Sequence, residues 1–187
     1  MRFQFAFVAL AISASALPVT RGIFDKTSII TSTKHINAPV EDVIATLHDF
    51  QKMINLNPLV TSSVPDPTDP NTISVTDKLP LFLGLSVPTT YTAKFEAVAD
   101  GMNTNNTASA GVLLHNEWRA VANASGGTDL TETDTLTLTK RQANFLLSPI
   151  VTSELQTSHN QLMNTLASQL ETAAAAAAPA ATATVQG

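Results

Sequence analysis

Apolar and polar residues recur with two distinct periods in separate blocks of this chain, and the blocks predict its elements. Thr27 to Ile36 (TSIITSTKHI) is rich in β-branched residues and reads as a strand. It stops at Asn37-Ala38-Pro39. There Asn37 or Ala38 can cap a helix, Pro39 suits its first turn, and Glu41 and Asp42 complement its dipole. Val40, Val43, Ile44 and Leu47 then keep helical spacing up to about Asp49. Phe50 to Leu56 reads as a second short helix, broken by Asn57-Pro58. Leu59 to Val64 is a short strand, Pro65 to Asn71 a turn with three prolines and two aspartates, and Thr72 to Leu79 another strand.

Leu79 to Val87 (LPLFLGLSV) is the most apolar internal stretch, interrupted by Pro80 and Gly84; it suits a buried loop, a lid or part of a strand. Thr89 to Ala99 alternates, with Tyr91, Ala93, Phe95 and Ala97 on one face. Gly101 to Thr107 reads as a polar turn, Ala110 to Ala122 as a strand around Trp118, and Gly126-Gly127 as a turn. Leu130 to Lys140 is a further strand with five threonines on one face. After Asn144 comes the longest helical pattern: Ser148 can cap it, Pro149 can start it, and Val151, Leu155, Leu162, Leu166 and Leu170 form one stripe. This order predicts an α+β fold. An antiparallel sheet of about six or seven strands curls around a long C-terminal helix, with a short helix pair after the first strand.

Composition narrows the functions open to such a fold. The 187 residues are 44% hydrophobic and 13% charged, too apolar for a wholly disordered chain. Lys and Arg number 10 against 15 Asp and Glu, a net charge of −5 with no basic run, which argues against a nucleic-acid partner. The absence of cysteine excludes disulfides, thiolate catalysis, iron–sulfur clusters and Cys-type zinc sites. The 26 threonines, many in alternating runs, favour strands. There is no P-loop, G-x-G-x-x-G, G-x-S-x-G or H-E-x-x-H, and the four histidines (35, 48, 115, 159) lack metal-ligand spacing. No cofactor or metal is expected. His115-x-Glu117 superficially suggests a zinc deaminase, but the Pro-Cys-x-x-Cys that chemistry needs is missing.

Both ends read as separable from the folded unit. Met1-Arg2 is a short basic region, Phe3 to Ile12 a mostly apolar stretch too short to span a bilayer, and Ala14-Ser15-Ala16 a cleavage pattern. A signal peptide over 1–16 is the expectation, the alternative being a buried N-terminal element of a cytosolic protein. Two sequons, at Asn105 and Asn123, agree with export and with glycosylation of a secreted protein. No second apolar run is long enough for a membrane anchor. At the other end, six alanines from Ala173 can extend the helix until Pro179 stops it. The expected domain is therefore 24–171, with an Ala-rich, disordered tail over 172–187.

The element order, together with HINAPVEDVIATLHDFQKMINLNP at His35 to Pro58, resembles the START-like (SRPBCC) helix-grip superfamily and its polyketide cyclase/dehydrase-like members. The positions carrying the resemblance are Ala38-Pro39, Glu41, Asp49-Phe50, Asn57-Pro58 and the long helix from Pro149. Many relatives are intracellular, so the leader is a departure. The bias to Ala, Thr and Ser, with both sequons, is similar to fungal secreted proteins. The resemblance implies a deep cavity between sheet and last helix that holds a hydrophobic small molecule. The same fold serves binding proteins, lipid transporters and cyclases, so fold alone does not decide function.

Several residues could work in such a cavity. At 100° per residue His159 lies on the leucine stripe of the last helix, as a hydrogen-bonded core histidine, a ligand contact or a general acid/base. On the last strand, Glu132 and Asp134 share a face with Leu130, Leu136 and Leu138. If the leucines point inward the carboxylates do too, and burial is costly unless they are paired, hydrated or functional. The other reading puts them at the cavity mouth or turned out by a bulge. Val112, Leu114, Asn116 and Trp118 form the inward candidate face of their strand, opposite His115, Glu117 and Arg119. Tyr91, Phe95, Asn116, Trp118, His159 and Met163 are the expected ligand-binding residues, with Leu79 to Val87 as a gate. His48-Asp49 reads as a solvated helix end. Three functions follow: binding of a lipid, sterol or polyketide-like molecule; a cyclase or isomerase using His159, Glu132 or Asp134; or a secreted interaction scaffold without ligand.

Overall fold

The computed structural model describes residues 26–80, 86–108, 111–124, 126–139 and 149–177. The expected leader, the centre of the Leu79 to Val87 stretch, the Ser148 cap and the chain beyond 177 lie outside them. The elements run β1 (Lys26–Ile36), α1 (Val40–Leu47), α2 (Phe50–Leu56), β2 (Val60–Pro65), β3 (Thr72–Pro80), β4 (Ser86–Val98), β5 (Gly101–Ala108), β6 (Val112–Ala122), β7 (Thr128–Leu138) and α3 (Pro149–Ala177). The seven strands make one curved antiparallel sheet in the order β1-β7-β6-β5-β4-β3-β2. Every neighbour except β1 and β7 is also a neighbour in sequence. α3 packs against β1 and α2, while α1 lies on β5 and β6. This is the curved sheet around a long C-terminal helix that the element order predicts, and the helix-grip arrangement that the resemblance implies.

The core lies between the sheet and the helices. It joins Val43 and Leu47 of α1, Met53 of α2, Val75, Ala93 and Phe95 of the sheet, and Leu162, Leu166 and Leu170 of α3. Phe50 stacks on Phe95 with ring centroids 4.8 Å apart, fixing α2 over β4. α2 is capped by Asp49, whose Oδ1 accepts from the Lys52 N–H at 3.1 Å. The predicted solvated end is thus exposed but employed, and His48 Nε2 also lies 2.8 Å from the Gly101 carbonyl oxygen.

Four expectations are corrected. Residues 101–107 form strand β5, not a turn: its Asn and Thr side chains alternate between solvent and a polar inner face, so the segment carries no hydrophobic period. Neither Asn37 nor Ala38 caps α1, whose N-cap is Pro39 without a side-chain bond. Asn37 instead donates from its backbone N–H and Nδ2 to Glu171 Oε1, at 2.9 and 3.1 Å, tying β1 to the end of α3. Ala97 is exposed although Tyr91, Ala93 and Phe95 turn inward, because it sits next to the open β4–β5 end. The helix also continues through 172–177, so Ala173 to Ala177 extend it and residues 172–177 belong to α3 rather than to a disordered tail.

Candidate functional site

β7 alternates strictly. Thr128, Leu130, Glu132, Asp134, Leu136 and Leu138 are buried and the intervening residues are not. The leucines and the two carboxylates therefore share the inner face, with Glu132 1% and Asp134 3% exposed. From α3, His159 (7% exposed) meets them: its Nδ1 lies 3.0 Å from Glu132 Oε1 and 2.7 Å from Asp134 Oδ2.

The sheet register supplies the rest of the cluster. Asp134 stands opposite Asn116 on β6, and Asn116 opposite Thr104 on β5. Thr104 Oγ1 and Asn106 Nδ2 both donate to Asn116 Oδ1, at 2.8 and 2.9 Å. This fixes the amide so that Nδ2 donates to Asp134 Oδ1 through a short bond. Polarity thus runs one way, from Thr104 and Asn106 through Asn116 into an accepting carboxylate. Glu132 Oε2 has no hydrogen-bond partner among the described residues.

Burial shapes the ionisation here. It pushes the Glu132 carboxyl well above the ordinary carboxylate range, Asp134 adds to the rise, and the His159 charge opposes it. Burial alone would lower His159, but Glu132 and Asp134 together hold it charged well above the usual imidazole range. The group is a buried imidazolium between carboxyls, able to donate from a charged ring while Glu132 exchanges a proton. One atom each from Glu132, Asp134 and His159 lie within 4.8 Å of one another, close enough for a divalent ion. The 2.7 Å contact, however, is the length of a charge-assisted pair. We read the cluster as an ion pair.

The cluster forms part of the wall of a cavity of about 440 Å³, bounded by the described residues. Tyr91, Phe95, Asn116, Trp118 and His159 line it as predicted, with Glu132; Asp134 stands behind them. Met163 does not. It is 2% exposed and packs into the core beside Leu166, while its neighbour Leu162 faces the cavity. Of the expected gate, Val87 lines the cavity and the intervening 81–85 lie outside the described residues.

Asp77 on β3 was not anticipated. It lines the same cavity, its Oδ1 has no hydrogen-bond partner among the described residues, and burial raises its carboxyl to about 6 against the pull of Tyr91 and His159. Tyr91, itself largely buried and beside this carboxylate, is raised in turn. A sequence signal existed, since Asp77 shares the parity of buried Ile73 and Val75. The sequon residue Asn105 is exposed on β5 and its Oδ1 accepts from His115 Nδ1 at 2.9 Å, while Asn123 is half-buried and donates to Asp129.

A curved sheet gripping a long helix, with a cavity between them and a polar cluster in its wall, defines the helix-grip fold. The chain belongs to the DUF7053 family, a domain of unknown function, whose pattern matches residues 26–172. A search of curated protein sequences gave no match. Among solved structures it is similar to the aromatase/cyclase ZhuI from Streptomyces sp. R1128 (TM-score 0.60, 16% identity, 78% of this chain and 94% of that one). It is also similar to the di-domain aromatase/cyclase StfQ of steffimycin biosynthesis (TM-score 0.58, 14% identity, 80% of this chain and 52% of that one). The protein TTHA0849 from Thermus thermophilus is a third (TM-score 0.59, 16% identity, 78% and 99%). This chain thus spans about half the length of the di-domain proteins. At these identities the likeness establishes the fold.

Proposed function

We propose that the domain binds a small, mostly apolar molecule, such as a lipid, sterol or polyketide-like metabolite, in the cavity between sheet and α3. The observation that carries this reading is the 440 Å³ cavity with aromatic and aliphatic walls and one buried polar cluster. Burial of apolar ligand surface at about 25 cal/mol per Å² would supply the affinity, and the cluster would orient the ligand. Native mass spectrometry of the purified protein, followed by organic extraction, tests it. A stoichiometric apolar adduct is expected. A protein that is empty and takes up no hydrophobic probe overturns the reading.

A second reading, a cyclase or isomerase on the same site, is favoured by one observation. The carboxyls hold His159 through Nδ1, which leaves Nε2 to deliver or take a proton. Turnover of a polyketide-like substrate that falls in both Glu132→Gln and His159→Ala would support it, and turnover unchanged in both would remove it. The scaffold reading has less support: the exposed large apolar residues Ile29, Val64, Val87 and Val121 sit on four different strands.

We also propose that the chain is secreted after cleavage behind Ala16, with Asn105 as the better-exposed sequon. N-terminal sequencing of secreted material, and its mass before and after deglycosylation, tests both points. An intact Met1 end would overturn the first, and an unchanged mass the second.

A further inference from the structure

We propose that the cavity selects apolar molecules bearing a hydrogen-bond donor, a hydroxyl or an amine, and rejects those ending in a carboxylate or phosphate; this rests on the binding reading above. The charged groups the cavity presents are unbalanced. Asp77 and Glu132 line it with Asp134 behind them, against the single imidazole of His159, and no Lys or Arg lines it among the described residues.

His159 is already committed to Glu132 and Asp134 through Nδ1. It offers no uncompensated positive charge to an anionic ligand. Among the cavity's buried polar atoms, two carboxylate acceptors have no hydrogen-bond partner among the described residues: Glu132 Oε2, on a side chain 1% exposed, and Asp77 Oδ1. A buried acceptor without a donor costs free energy, and a ligand O–H or N–H would relieve that cost in a charge-assisted bond. A ligand carboxylate would bring a like charge against three carboxyls in a low-dielectric wall, where water screens poorly. Asn116 cannot redress the balance, because both its carbonyl and its amide are engaged within the sheet. The fold thus supplies apolar area for affinity and unmatched acceptors for choice.

Displacement of a neutral probe tests this. The protein is loaded with N-phenyl-1-naphthylamine and titrated at pH 8 and fixed ionic strength with decanol, decylamine and decanoate, which differ only in the head group. Decanol and decylamine are expected to displace the probe at least tenfold more effectively than decanoate. Asp77→Asn and Glu132→Gln are each expected to narrow the decylamine-to-decanoate ratio by at least threefold. Decanoate competing as well as the other two, or ratios unchanged in both variants, overturns the inference. Failure of the probe to bind at all would instead count against the cavity-binding reading.

Discussion

His159 Nδ1 stands 2.7 Å from Asp134 Oδ2, joining the last helix to the last strand inside the protein. This contact, with its partner at Glu132, is where the fold confines opposite charges away from water. Removing the cation from such a group leaves carboxylates buried without compensation. His159→Ala is therefore expected to destabilise the domain by about 3–5 kcal/mol, read by urea unfolding. The loss should be partly recovered when Asp134→Asn is added, since the two sites share one interaction. Strict additivity of the two substitutions would show that the pair is not coupled.

Stability should decline from mildly acid to alkaline pH. The Glu132 and Asp77 carboxyls, on β7 and β3, are raised by burial, so their contributions are complete below the ordinary carboxylate range and are lost as pH rises through the raised values. His159 on α3 is raised by its two carboxyl neighbours. Its contribution is complete below the ordinary imidazole range and lost at higher pH. Tyr91 on β4 acts in the same direction at still higher pH. The surface carboxyls of Asp66, Asp69 and Asp129 are lowered by hydrogen bonds, so they weaken the fold only on strong acidification. Melting temperature is expected to peak near pH 4–5 and fall steadily to pH 9, with Asp77→Asn flattening the segment up to about 6. A maximum at neutral or alkaline pH would contradict the assignment.

Gly101 holds β5 close to β6. A Cβ there would lie 1.9 Å from the Trp118 carbonyl oxygen, so even alanine requires the backbones to part. Gly101→Ala is expected to cost about 2 kcal/mol or more, a size usual for an uncompensated backbone conflict. It should also weaken ligand binding, because Trp118 is a cavity wall. Thermal melts of Gly101→Ala beside Ala97→Gly, a control at an exposed site, separate this from general sensitivity of the β4–β5 end.

Trp118 is the chain's single tryptophan, 3% exposed and in the cavity wall. Filling the cavity should change its emission intensity. The change should vanish in Trp118→Phe while probe displacement persists within about threefold. A ligand that binds in that variant and never alters the wild-type emission sits elsewhere.

The inner face of β7 was legible because Leu130, Leu136 and Leu138 fix its parity, and the two carboxylates must follow them. His159 was legible for the same reason on the leucine stripe of α3. The polar relay behind them was not. Thr104 and Asn106 belong to a strand whose inner face serves a hydrogen-bond network, so it shows none of the apolar alternation by which strands are recognised. Met163 shows a finer limit. It and Leu162 both lie near the stripe and both join the core, and only the packing of α3 on the sheet decides that Leu162 also reaches the cavity while Met163 does not. Asp77 obeys the parity of Ile73 and Val75, but an acid among threonines and serines gives no reason to look for a pocket until β4 folds beside it.

The pairing of β1 with β7 also sets the order in which this chain can be completed during synthesis. Lys26 meets Leu138 and Ile36 meets Thr128, whereas every other strand partners its immediate neighbour. Six strands can zip hairpin by hairpin as they emerge, while β1, made first, waits for the last of them. A nascent chain therefore carries an unpaired, β-branched segment through most of its translation, and Lys26 and Lys34 place charge on that waiting strand.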